Sequence, residues 1–112
     1  MDSIRQQKAA RLIQKELAEI FLLDGKNMFG NAMITVTVVR LSPDMSIAKV
    51  YLSLFGVKDK DSLFQDIQIY TPELRKLLGQ RIGKQVRIIP ELKFFIDDSL
   101  DYMEKIDKAL KS

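Results

Sequence analysis

The stretch MITVTVVRLSPDMSIAKVYLSLF, from Met33 to Phe55, decides how this chain folds. Residues 33–41 are dominated by β-branched side chains, which suit a pleated, half-buried surface. They read as a strand with Ile34, Val36 and Val38 on one face. Ser42-Pro43-Asp44 is turn chemistry: proline presets φ, and the short polar side chains bond to nearby backbone. Residues 46–55 read as a second strand, with Ala48, Val50, Leu52 and Leu54 pointing one way and Lys49, Tyr51 and Ser53 the other. Strands joined by so short a connection pair as an antiparallel hairpin. Its apolar face needs a second layer to cover it.

The flanking sequence supplies that layer. Residues 3–23 place Ala9, Leu12, Ile13, Leu17, Ile20 and Phe21 in steps of three and four, the stripe of an amphipathic helix. Asp2 or Ser3 caps its start, and Asp24-Gly25 stops it. After the polar residues 58–61, Ser62 and Gln65 match a capping box, and Leu63, Ile67 and Tyr70 begin a second apolar stripe. Thr71-Pro72 interrupts it, because proline lacks the backbone donor and clashes with the preceding turn. The stripe resumes in phase at Leu74, Leu77 and Leu78, so the segment reads as helix, kink, helix, with Thr71 capping the second half and Pro72 at its first position. Gly79 and Gly83 bracket the end. Residues 85–96 read as a third strand with Val86, Ile88, Pro90, Leu92, Phe94 and Ile96 on one face, and Pro90 marks an edge or a bulge. Asp97-Asp98-Ser99 reads as the cap of a last helix with Leu100, Met103, Ile106 and Leu110 inward.

The order is helix, strand, strand, kinked helix, strand, helix. A strand that follows a helical crossover runs parallel to a strand of the hairpin, which makes the sheet mixed. The expected fold is α+β: a KH-like (type II) two-layer sandwich, a three-stranded mixed sheet with helices on one face. Residues 1–112 are expected to form one such domain, the length of an ordinary one.

Composition narrows the function classes. At 46% hydrophobic and 29% charged residues the chain is globular rather than disordered. It has no cysteine and no histidine, so the commonest nucleophiles, bases and metal ligands are missing. An enzyme is not expected, nor a metal, a cofactor or a small-molecule substrate. Met1–Arg5 are polar with no apolar run behind a basic patch, so no signal peptide is expected. No stretch approaches a membrane span. The net charge of +3 hints weakly at an anionic partner.

Three segments carry a resemblance to a known family. The run from Ser42 through Met45 and Ile47 to Tyr51 resembles the hairpin turn and second strand of ribosome-binding factor A. Arg87 to Phe94, containing Pro90-Glu91-Leu92 and followed by Asp97 and Ser99, resembles that family's last strand. Arg5 to Arg11 is similar to its first helix. The resemblance spans nearly the whole chain in order. It implies a cytoplasmic, non-enzymatic factor, monomeric when free, that binds the free small (30S) ribosomal subunit and its rRNA. It also implies a role late in small-subunit rRNA maturation and a link to growth in the cold. The alternative is a generic KH-like RNA- or protein-interaction module. The chain departs from the family in two places. Thr71-Pro72 stands where the family usually has an Ala-x-Gly-like break, and Gly83-Lys84 looks like a short insertion.

Two basic groups are the candidate RNA-binding residues. Arg5, Lys8, Arg11 and Lys15 line one side of the first helix, with Glu16 and Glu19 near its end. That order opposes the helix dipole, which favours acids first and bases last. It suggests service to a partner, although a solvated face gives the same pattern. Arg75, Lys76, Arg81, Lys84 and Arg87 gather around the end of the kinked helix, where cations are also stabilising without a ligand. Arg87 has Glu91 and nearby aspartates as alternative partners. Met28 and Phe29, in the loop between the first helix and the first strand, are read as packing over the sheet edge rather than stacking on a base; Phe94 is read as core, and Phe95 as lying on the opposite face, either exposed or covered by the last helix. Asp97, Asp98 and Asp101 are read as caps, since no Asp-x-Asp-x-Asp-Gly loop supports calcium.

Overall fold

The structure, a computed structural model, describes residues 3–97. The elements run α1 (Ile4–Leu23), α2 (Gly25–Phe29), β1 (Met33–Leu41), β2 (Ile47–Phe55), α3 (Lys60–Ile69), α4 (Thr71–Ile82) and β3 (Glu91–Ile96). The sheet order is β1-β2-β3, with β1 antiparallel and β3 parallel to the central strand. This is the expected KH-like two-layer sandwich. The expected last helix, with Leu100, Met103, Ile106 and Leu110, lies outside the described residues.

The core forms where α1, α3 and α4 close over β2. Ile13, Leu17 and Ile20 of α1, Ile67 of α3, and Leu74, Leu78 and Ile82 of α4 are fully buried against Val50 and Leu52. Each such side chain stabilises the fold by roughly 1.5–3 kcal/mol. α3 and α4 meet at Tyr70, and the apolar stripe stays in register across the break.

Five local expectations need correction. First, Val38 does not share the face of Val36. A β-bulge separates them, so Val39 and Leu41 turn inward and Val38 is left 38% exposed. One extra residue reverses the strand's parity. The amide of Gln14 donates to the carbonyls of Val36 (3.2 Å) and Thr37 (3.1 Å), satisfying the disrupted ladder from α1.

Second, Ser62 and Gln65 do not open α3. Asp59 does: its side chain accepts the Ser62 N–H at 3.0 Å, and the helix begins at Lys60. An aspartate both caps and meets the positive end of the helix dipole. Asp59→Ala is expected to lower stability by about 1 kcal/mol. A thermal melt unchanged from the parent would contradict this.

Third, Thr71 is the first residue of α4 and not its cap. Its hydroxyl donates back to the Ile67 carbonyl at 3.1 Å, and Tyr70 occupies the capping position with no side-chain bond.

Fourth, β3 starts at Glu91 rather than at 85. Residues 84–90 instead wrap over α4, with Ile89 packed toward Gly79, so Ile88 is 58% exposed. Pro90 is fully buried just before the strand, and Ile96 at its end is 36% exposed rather than core.

Fifth, Met28 and Phe29 lie on α2, a short helix not foreseen. Phe29 packs against Phe21 (6.0 Å between ring centroids) and edge-on to Tyr70 (5.4 Å), bridging α1 and the α3–α4 junction. Phe94 is buried, and Phe95 lies on the outer face of the sheet.

Candidate nucleic-acid interface

The first turn of α1 is fixed twice. Ser3 and Gln6 form a reciprocal capping box: Gln6 N–H donates to Ser3 Oγ at 3.1 Å, and Ser3 N–H to Gln6 Oε1 at 2.9 Å. The same Gln6 amide donates to the Leu41 carbonyl at 3.3 Å and is itself buried. One side chain therefore pins the helix start to the end of β1, which sets Arg5 and Lys8 beside the hairpin turn.

That turn is held by Asp44. Its Oδ1 accepts from the hydroxyls of Ser42 (2.7 Å) and Ser46 (2.8 Å) and from the Ser46 N–H (3.1 Å). Met45 takes a left-handed conformation (φ 63°), uncommon for a residue with a side chain, and is half-buried. The two serine hydroxyls, then the Ser46 N–H, favour the ionised carboxylate and lower the Asp44 pKa from 3.8 to about 2. A group whose folded pKa is depressed adds stability above its unfolded value and loses it as pH falls. This turn should therefore be fully supported above about pH 4 and lose that support toward pH 2. Carbon-detected NMR titration should place the Asp44 midpoint near 2, and a midpoint near 4 would contradict the bonding described.

Residues 84–90 form the third wall. The Arg75 guanidinium donates to the Pro90 carbonyl (3.1 Å) and the Ile89 carbonyl (2.7 Å), and Glu91 N–H donates to Ser46 O at 2.8 Å. Between α1, the turn and this wall lies a cleft of about 670 Å³. Leu12, Met45 and Val86 give it apolar lining; Arg5, Lys8 and Arg87 stand at it as cations and Asp44 as an anion. The cleft thus gathers members of both basic groups.

The other candidates fall elsewhere. Arg11 and Lys15 continue the exposed stripe along α1, and Lys76 and Lys84 are exposed. None of Arg5, Lys8, Arg11, Lys15, Lys76, Lys84 or Arg87 forms an ion pair among the described residues. Arg75 is taken up by two carbonyls. Arg81 is taken up by two carboxylates of α1, Glu16 at 3.0 Å and Glu19 at 2.7 Å. The hydrogen bond that Arg81 donates to Glu16, with a further one to Glu19, raises the Arg81 pKa against the opposing effect of burial. The acids at the end of α1 thus have a task that outweighs the small dipole preference: they bind α4. Thr71 is half-buried with its hydroxyl turned back into α3, whereas Pro72 is exposed.

Sequence reasoning gave Met45, Val86 and Gln6 no part in the site. The Ser3-x-x-Gln6 spacing was a readable signal for the capping box. Nothing in the sequence marks Met45 for a positive φ, since glycine and asparagine are the usual occupants. Among the described residues no group of acids could hold a metal ion, and no helix is long and apolar enough to cross a membrane.

Comparison with known proteins agrees with this architecture. The chain is similar to a ribosome-binding factor A from Cytophaga hutchinsonii, 56% identical over 98% of this chain and 83% of the relative. It is also similar to one from Flavobacterium johnsoniae, 43% identical over 98% of this chain and 85% of the relative. Among solved structures, the crystal structure of ribosome-binding factor A from Thermus thermophilus superposes with a TM-score of 0.68 at 23% identity, over 81% of this chain and 94% of that one. A Thermus thermophilus ribosome-binding factor A model, fitted into an electron cryo-microscopy map of a 30S complex, superposes with a TM-score of 0.63 at 26% identity, over 80% and 91% of the two chains. The family model described as ribosome-binding factor A matches residues 5–110, which takes in α1, the hairpin turn and the 84–90 wall, and this chain belongs to that family.

Proposed function

We propose that this protein is an assembly factor that binds the free small ribosomal subunit through its rRNA and assists late maturation of that RNA. The observation that carries the reading is the set of cations without internal ion pairs: Arg5 and Lys8 from α1 and Arg87 from the 84–90 wall around one cleft, with Arg11 and Lys15 extending the line. Such cations suit phosphates, which supply affinity and position rather than sequence reading. Lys76 and Lys84 are secondary candidates. Arg75 and Arg81 act on the fold, holding the wall and joining α1 to α4. The family membership, and the 30S complex in which a relative was fitted, support the small subunit as the partner. The factor works in the cytoplasm as a monomer and by binding alone, and a role in growth in the cold accords with assistance to RNA rearrangement.

Sedimentation tests the reading. The protein is expected to comigrate with purified free small subunits and not appreciably with assembled ribosomes. Equal occupancy of both particles, or of neither, would contradict it. Binding that ignores salt would favour a protein-docking module instead, because phosphate contacts release counterions.

A further inference from the structure

The outer face of the sheet, turned away from the helices, carries a second arrangement that the cleft does not use. The register sets Arg40 opposite Lys49, and Lys49 opposite Lys93. Three adjacent strands thus present an Arg-Lys-Lys row. All three residues are exposed, and none forms an ion pair among the described residues. Like charges directly opposite on neighbouring strands are destabilising, so this row opposes the fold. The next row holds Val38, Tyr51 and Phe95. The Tyr51 and Phe95 rings stack with centroids 5.3 Å apart at 25°, and Phe95 remains 40% exposed. The bulge in β1 makes both rows possible: without its extra residue, Val38 and Arg40 would point to the helical side. Acids lie at the two ends of the face. Glu91 sits opposite Ile47, and the Asp97 carboxylate accepts the Thr37 hydroxyl at 2.7 Å.

We propose that this face is a second nucleic-acid surface, which takes an unpaired stretch of RNA. Phosphates lie along Arg40, Lys49 and Lys93, and bases stack on Tyr51 and Phe95. The strand must be unpaired, because a duplex offers phosphates but buries its base faces. Three strands span roughly 10 Å, a width suited to the two or three bases that a sheet platform holds. The phosphates remove the repulsion within the cation row, which explains why a cost to the fold is tolerated there. The inference rests on the proposed RNA partner and adds a separate surface with a preference for single strands.

The test uses the full chain and a labelled, unstructured oligouridylate, read by fluorescence anisotropy across a salt series. Three variants are compared: Tyr51→Leu with Phe95→Leu, Arg40→Gln with Lys49→Gln and Lys93→Gln, and Arg5→Gln with Lys8→Gln and Arg87→Gln. Thermal melting confirms that each is folded, and sedimentation with small subunits is run in parallel. The parent is expected to bind the oligonucleotide, with a duplex of equal length competing poorly. The aromatic variant should bind about fivefold to a hundredfold more weakly. The triple charge variant on the sheet should flatten the salt dependence by about two units of log–log slope. The cleft variant should weaken comigration with small subunits, and it should weaken oligonucleotide binding less than either sheet variant does. A folded sheet variant that binds like the parent overturns the inference, and so does a duplex that competes equally. A parent that ignores the oligonucleotide but still comigrates with small subunits also overturns it, and the proposed function stands. A parent that does neither overturns both.

Discussion

Glutamine at Arg5, Lys8, Arg11 and Lys15 together is expected to weaken binding to the free small subunit by about a hundredfold or more, at on the order of half a log unit for each phosphate no longer neutralised. The salt dependence should flatten as well, by roughly one unit of log–log slope per phosphate. The fold should survive. All four side chains are exposed and form no ion pair among the described residues. Exposed substitutions usually change stability by no more than about 0.5 kcal/mol each. Removing Arg5 also takes a cation from the first turn of α1, where the helix dipole disfavours it, so stability should match the parent's or rise slightly. A quadruple variant that melts like the parent and binds with the parent's affinity and salt slope would reduce the stripe to a solvated face.

Arg75→Lys should behave in the opposite way, harming the fold first and binding second. The guanidinium fork reaches the carbonyls of Ile89 and Pro90 at once, which a single ammonium cannot reproduce. Leaving partly buried carbonyls without a donor costs about 1–3 kcal/mol. The 84–90 wall should then loosen from α4, with faster amide exchange at Val86 and Glu91, whose N–H groups donate to the Ile82 and Ser46 carbonyls, and Arg87 should lose its fixed place at the cleft. A phosphate-binding Arg75 would give the other pattern: lysine keeps the charge, stability would hold, and binding would fall only modestly. Thermal melting and hydrogen exchange on this one variant separate the two roles.

The hairpin was legible because local chemistry and global packing agree there. The run of β-branched residues sets β1 at 33–41, and strict alternation from Ala48 to Leu54 sets the buried face of β2. The break between α3 and α4 was legible for a similar reason, since the backbone restriction at Pro72 acts whatever its surroundings. What escaped depends on partners distant in sequence. The bulge at Val36–Val38 relies on Gln14 of α1, and Asp97 near the end of β3 binds Thr37. Residues 85–90 alternate like a strand, yet Arg75 takes the carbonyls of Ile89 and Pro90. The candidate cations were all visible as charges. Their sorting was not: Arg81 is withdrawn by Glu16 and Glu19 of a helix 62–65 residues earlier in the chain. The cleft brings Lys8 and Arg87 together only because the hairpin and the wall close on α1.

Site-specific photocrosslinking within the purified complex of this protein and the free small subunit is the most direct measurement of the central claim. A photoreactive residue is placed in turn at Lys8, at Arg87 and at Gln65, an exposed position on α3. The expected result is strong crosslinking to small-subunit rRNA from positions 8 and 87, abolished at high salt, with little from position 65. Crosslinks from position 65 that equal or exceed those from 8 and 87, or crosslinks from 8 and 87 to ribosomal protein alone, would contradict the account.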